Sequence, residues 1–209
     1  MSKIFNDLLK YKEKIGLIDA DNKDHSYNKI LQEVEKISRN VKKGSLILFL
    51  SSNIFESIVG YISFIRNNNI LILLDKSFEK RFVEKMIKNY KPSFIYKPKN
   101  YFLKNFKDKN LYRGDKYELL RTNFKLKNDY NKKNFLLLTT SGSTSNPKLV
   151  RLSEYNILDN VKKIIKYLNI NSKNTTITTM PMAYSYGLSI INTFIYSGAK
   201  IVLSEKSIF

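Results

Sequence analysis

The apolar positions of this chain follow two rhythms. Ile30, Leu31, Val34, Ile37 and Val41 recur every three or four residues, which places them on one face of a helix. Ser26, just ahead, is a suitable N-cap because its hydroxyl can accept from an amide of the first turn, and Gly44 reads as the stop. Residues 45–50 then form a short unbroken apolar run, as in a strand buried on both faces. A second helical set, Ile54, Phe55, Ile58, Val59, Ile62 and Ile65, leads through Asn67-Asn68-Asn69 to another apolar run at 70–74. Residues 77–90 predict a further helix, stopped by Pro92, and 93–96 a third strand. Strand, helix, strand, helix, strand at this spacing implies a parallel sheet, because parallel neighbours need a long crossover between them.

The rhythm breaks at 97–133, a stretch rich in Lys, Asn, Asp and Tyr that reads as a loosely structured crossing segment with one short strand around 117–120. A docking surface for an acidic partner is the alternative reading of that segment; a variable connecting loop is the simpler one. Order returns with an apolar strand at 135–138. Ser153 is placed to cap a helix whose apolar face is Ile157, Val161, Ile164, Ile165 and Leu168. A β-branched run at 175–179 predicts a strand, 188–197 a helix with Gly198 as its C-cap, and 200–203 a last strand. The expected fold is therefore α/β, with parallel-sheet βαβ lobes carrying helices on both faces. Its parts are a first βαβαβ lobe at 1–96, the crossing segment at 97–133 and a second lobe at 134–209.

Composition narrows the function classes. Hydrophobic content of 43% and aromatic content of 13% belong to a globular chain rather than a disordered one. There is no cysteine, which removes disulfides, thiol nucleophiles and cysteine-bound zinc. Residues 1–16 are charged throughout, without the apolar core of a signal peptide, and the longest apolar stretches, such as 58–65, fall far short of the ~20 residues that span a bilayer. No membrane span and a cytoplasmic setting are expected. The formal charge of +19 looks at first like a nucleic-acid footprint. Most of the 37 basic residues, however, are lysines spread evenly among asparagines and isoleucines, which is a compositional bias and not a dedicated surface, so no specific nucleic acid is expected. His25 is the only histidine; with no carboxylate or serine partner visible, its role reads as structural.

The chemistry is concentrated in the stretch that follows 135–138. There Thr139 to Thr144 are small or polar, and Ser145, Asn146 and Pro147 lead to Lys148 before the apolar rhythm resumes at Leu149. Hydroxyls around one glycine, between two strand-like runs and closed by Pro-Lys, suit an anion: glycine lets backbone amides approach, and the lysine adds a point charge. The P-loop pattern does not fit, since its second glycine would fall on Pro147 and its hydroxyl on Leu149. Position by position, Thr140-Ser141-Gly142-Ser143-Thr144-Ser145-Asn146-Pro147-Lys148 resembles the phosphate-binding loop of the adenylate-forming, or AMP-binding, enzymes, the superfamily of acyl-CoA synthetases, peptide-synthetase adenylation domains and luciferases. Two departures stand out: Ser145 where glycine is usual and Leu149 where glycine often follows the lysine. A second likeness is Pro181 to Leu188, where the family carries Pro-Leu-x-His-x-x-Gly-Leu at the floor of the carboxylate pocket. Tyr184 takes the histidine's place and Gly187 is retained. Asn53 and Asp75 match the family's asparagine after its first strand and aspartate after its second, and Ser26-Tyr27 its helix-opening pair.

The resemblance runs over roughly 26–204 and covers only the first part of the family's large domain, so the chain reads as an incomplete N-terminal portion of that fold. It implies a ligase in which a carboxylate attacks ATP to give an acyl-adenylate and pyrophosphate, followed by transfer to a thiol of CoA or a carrier protein. Thr140, Ser141, Gly142, Ser143, Thr144, Ser145 and Lys148 would hold the ATP phosphates, and Tyr184 and Gly187 would belong to the substrate pocket. Mg2+ would accompany ATP, with its main ligand in the family's later elements. Those elements, which also supply the adenine site and a catalytic lysine, would come from a missing C-terminal part or a complementary chain. The alternative is a non-catalytic truncated module that binds a partner protein or polyanions.

Overall fold

The computed structural model describes residues 4–103, 108–124, 135–139 and 149–205. A short 3-10 turn at Leu8–Tyr11 precedes β1 (Ile15–Ile18), β2 (Asp24–Ser26) and α1 (Tyr27–Ser38). Two βαβ units follow: β3 (Leu46–Ser51), α2 (Phe55–Arg66), β4 (Ile70–Asp75), α3 (Lys80–Tyr90) and β5 (Phe94–Pro98). Next come the strands β6 (Asp108–Arg113) and β7 (Tyr117–Thr122), then β8 (Leu136–Thr139) and β9 (Leu149–Leu152). The last elements are α4 (Glu154–Leu168), β10 (Thr175–Ile177), α5 (Ser185–Tyr196) and β11 (Lys200–Val202).

The main sheet has the order β6-β7-β5-β3-β4-β8-β9. Its centre, β5-β3-β4-β8, is parallel, and each flank is an antiparallel hairpin partner. β3 and β4 are apolar on both faces because both faces are covered: Leu46 to Leu50 are at most 2% exposed. Fully burying each such side chain is worth roughly 1.5–3 kcal/mol. One face packs Leu48, Ile72 and Leu74 against Val83, Met86 and Ile87 of α3. The other packs Phe49, Leu71 and Tyr96 into a larger core with α1, α2, α4 and α5. A second sheet, β10-β11-β1-β2, closes the far side of those helices. Parallel pairing of β1 with β11 and a buried bond from Tyr27 Oη to Ala199 O (2.7 Å) tie the start of the chain to residues near 200.

Hydroxyl caps open two of the described helices, α1 and α4. The Ser26 hydroxyl accepts from Lys29 N at 3.2 Å, and Ser153 with Asn156 forms a reciprocal capping box on α4. α1 ends well before Gly44, at Arg39; Gly44 instead takes φ +75 in the turn into β3. The segment 97–133 holds more order than its composition indicates, since β6 and β7 both extend the sheet. β6 is an edge strand, Asp-Lys-Asn-Leu-Tyr-Arg, and polar edge residues erase the apolar pattern by which strands are read. α4 is less buried than its pattern predicts: Ile157 and Val161 are covered, Ile164 and Ile165 half-buried, and Leu168 is exposed.

Candidate functional site

Parallel strands place their carboxyl ends, and the loops that follow, along one edge of the sheet, which is where ligands bind in open α/β folds. Ser51 at the end of β3 pairs with Asp75 at the end of β4, and Leu73 of β4 pairs with Leu138 of β8. Asn53, Asp75 and the exit of β8 therefore share that edge. β8 ends at Thr139, which faces Leu149 at the start of β9, so the two strands flank the hydroxyl-rich stretch as an antiparallel pair. Thr140, Ser141, Gly142, Ser143, Thr144, Ser145 and Lys148 themselves lie outside the described residues.

Asn53 organises what lies beside this edge. Its side-chain Nδ2 donates to Met180 O at 2.9 Å, and its Oδ1 accepts from Met182 N at 3.2 Å. One buried amide thus spans both sides of Pro181 and fixes the segment that leads into α5. Ser57 adds to the clamp: its hydroxyl accepts from Ser52 N and lies 3.5 Å from Met182 Sδ. Behind it, Ser52 Oγ and Tyr117 Oη are 2.8 Å apart, with Tyr117 Oη also donating to Leu50 O. Burial pushes the Tyr117 phenol well above its ordinary value, so it stays a neutral donor. Asp75 is a turn former, its Oδ1 accepting from Ser77 N at 2.9 Å.

The clamp presents the aromatic segment. Tyr184 stands half-exposed at the N-cap of α5, and Tyr186 is more exposed still. Gly187 is buried against the carbonyls of Pro181 and Met180; a Cβ there would lie 2.8 Å from Met180 O and closer to Pro181 O. The glycine is what lets the first turn of α5 sit on that segment. Neither tyrosine is packed in the core.

Between the β8–β9 pair, α4 and α5 is a notch of about 470 Å³, within the range of small-molecule pockets. Its floor is Leu138, Leu152, Ile157 and Leu188; its polar groups come from Asn156 and Asn160 on α4 and from Ser185, Ser189 and Asn192 on α5. Tyr186 lines it and Tyr184 does not. Asn192 is anchored, its Oδ1 accepting from the buried Tyr61 Oη at 2.8 Å. Asn156, Asn160, Ser189 and Asn192 escaped the sequence reading, although polar breaks at four- and three-residue spacing (156 and 160; 185, 189 and 192) mark one face of each helix.

His25 has a partner that the sequence did not reveal: Asp19 Oδ2 lies 2.7 Å from His25 Nε2, brought there by the β1–β2 turn. The ring also stacks on Phe55 at 3.8 Å. Among the described residues no group of three or more His, Cys, Asp or Glu is arranged to hold a metal, and no helix is long and apolar enough to cross a membrane.

A family model described as AMP-binding enzyme matches residues 5–209. The chain belongs to the AMP-binding enzyme family. Among solved structures, apo MatB from Rhodopseudomonas palustris superposes with a TM-score of 0.77 at 14% identity, covering 98% of this chain and 45% of that one. VinN gives 0.74 at 16% identity, covering 97% and 56%. The o-succinylbenzoate CoA synthetase MenE from Bacillus subtilis, in complex with the acyl-adenylate intermediate OSB-AMP, gives 0.72 at 17% identity, covering 96% and 56%. No curated protein matches in sequence. The chain spans 45% of the length of MatB and about half that of the others, and its two sheets with their helices are the N-terminal part of the AMP-binding fold.

Proposed function

We propose that the chain is the nucleotide-phosphate-holding portion of an ATP-dependent adenylate-forming ligase. In the reaction a carboxylate oxygen bonds to the α-phosphorus of ATP, the bond to the bridging oxygen breaks, and pyrophosphate leaves; a thiol of CoA or a carrier protein then takes the acyl group. The observation that supports this reading is the pairing of Thr139 with Leu149 at the carboxyl edge of the parallel sheet. The sequence between those two residues is rich in hydroxyls and closed by Pro147-Lys148, and the same edge of the sheet carries Asn53 with the segment it clamps. Charge grows on the departing pyrophosphate, so hydroxyls of Ser141, Ser143 and Thr144, amides around Gly142, and the Lys148 ammonium stabilise the transition state more than the ground state. Thr140 and Ser145 complete that loop.

Gly187 and the rings of Tyr184 and Tyr186 form one wall of the carboxylate pocket in this reading. A magnesium ion arrives with the nucleotide, its main protein ligand lying in the part of the family's length that this sequence does not cover. That remaining part, in continuation or as a second chain, packs on the exposed apolar side chains Tyr155, Tyr167, Leu168 and Ile177 and completes the reaction.

The test is direct. Lys148→Ala lowers the affinity for ATP by about tenfold in calorimetric titration, as expected for losing a charge-assisted contact, while the melting temperature holds. Unchanged ATP affinity overturns the assignment. The isolated chain shows no carboxylate-dependent exchange of pyrophosphate into ATP; robust exchange refutes the need for a second part.

A further inference from the structure

A second cleft, of about 470 Å³, opens between the β1–β2 turn, the outer face of α1, the first turn of α2 and the β6–β7 turn. It shares no lining residue with the notch between α4 and α5. Its apolar part is the half-buried Ile54 and the ring of Phe55, which is held flat by stacking on the buried His25 ring.

The charges around that apolar part are unevenly committed. Asp19 is held by His25, and Glu33 by both Lys29 (3.0 Å) and Lys36 (2.8 Å). The Glu56 carboxylate accepts from three successive amides, Asp115 N at 2.6 Å, Lys116 N at 2.8 Å and Tyr117 N at 2.6 Å. Three of the four lining carboxylates are thus neutralised or bonded in place, leaving Asp115. On the cationic side Lys23, Arg113 and Lys116 line the same cleft and make no ion pair among the described residues. Tyr112 adds a phenol, pushed up to about 12 by burial and by Glu56, Glu33 and Asp115, which therefore serves as a neutral donor.

One accessible aromatic ring beside cations that make no ion pair among the described residues selects one ligand chemistry. We propose that this cleft is a binding site for a small organic anion with a flat apolar body, its anionic group held by Arg113 and its neighbouring lysines. Arginine suits the task because its planar fork pairs with carboxylate, sulfonate or phosphate through two parallel bonds. The site is linked to the clamp: Ile54, Phe55 and Glu56 directly follow Asn53, so an occupant that shifts the first turn of α2 bears on the segment at Met180 and Met182.

The probe is 2-naphthalenesulfonate, which cannot be adenylated, with the neutral 2-naphthalenemethanol as its control. Titration of the full chain followed by calorimetry and by amide NMR should show saturable one-to-one binding of the sulfonate, with shifts at Asp115, Lys116 and Tyr117. Arg113→Glu, at an exposed position, should weaken that binding by at least about tenfold, and the neutral analogue should bind more weakly by a similar factor. Lys148→Ala should leave it unchanged, which separates this site from the nucleotide loop. Binding that does not saturate, that survives Arg113→Glu, or that is equal for the neutral analogue overturns the proposal. So does a loss of sulfonate binding in Lys148→Ala.

Discussion

Asn53→Ala is the most informative single change in the described structure. The substitution removes a donor to Met180 O and an acceptor for Met182 N, both on a segment whose Met182 is 0% exposed. Met182 N is buried and left without its acceptor, which costs about 1–3 kcal/mol, while the part-buried Met180 O loses a hydrogen bond worth about 0.5–1.5 kcal/mol. Together, partly relieved by movement of the segment, these give a loss of about 2–3 kcal/mol. For a chain of this size that corresponds to a fall in melting temperature of roughly 5–10 °C. Asn67→Ala is the matched control, since Asn67 makes one comparable bond, to Val41 O at 2.9 Å, far from the site, and should cost about 1 kcal/mol. The chain has no tryptophan, so Tyr184→Trp supplies a unique fluorophore on the clamped segment. In that background Asn53→Ala should also lower the steady-state anisotropy, whereas Asn67→Ala should not. Urea unfolding followed by circular dichroism measures the stability difference. If Asn53→Ala costs no more than Asn67→Ala, or leaves the anisotropy unchanged, the clamp is not what fixes the segment.

Two further outcomes follow from the same geometry. Gly187→Ala gains about 1 kcal/mol of helix propensity but drives a methyl into the Met180 and Pro181 carbonyls, which no rotamer change relieves; urea titration should show a net loss of about 1–2 kcal/mol, and stabilisation would refute the close packing. Glu33 concerns pH: burial alone would raise its pKa, but hydrogen bonds and charges from Lys36 and Lys29 outweigh that and hold it below 4.5. Its stabilising contribution is then fully present above pH 4.5 and disappears as pH falls through the depressed value. Glu33→Gln should accordingly be less stable than the parent at neutral pH and converge with it in acid melts, and a difference that persists at low pH counts against the pairing.

The sequence by itself determined the elements whose stability is local or whose burial is complete on both faces. Apolar runs at 45–50 and 70–74 became β3 and β4, helical spacing and hydroxyl caps became α1 and α4, and the run from Thr140 to Lys148 named the family to which the chain belongs. Only the tertiary structure decided the rest, because the deciding energies lie between residues far apart in the chain. β1, four residues long, is a strand by virtue of pairing with β11 near residue 201, and polar β6 by virtue of lying on β7. His25 acquired its carboxylate from a turn, and Asn53 its partners from residues more than 120 positions away. Periodicity records which side of an element avoids water; it carries no record of which distant backbone group a buried amide will meet, and that meeting is what builds the site.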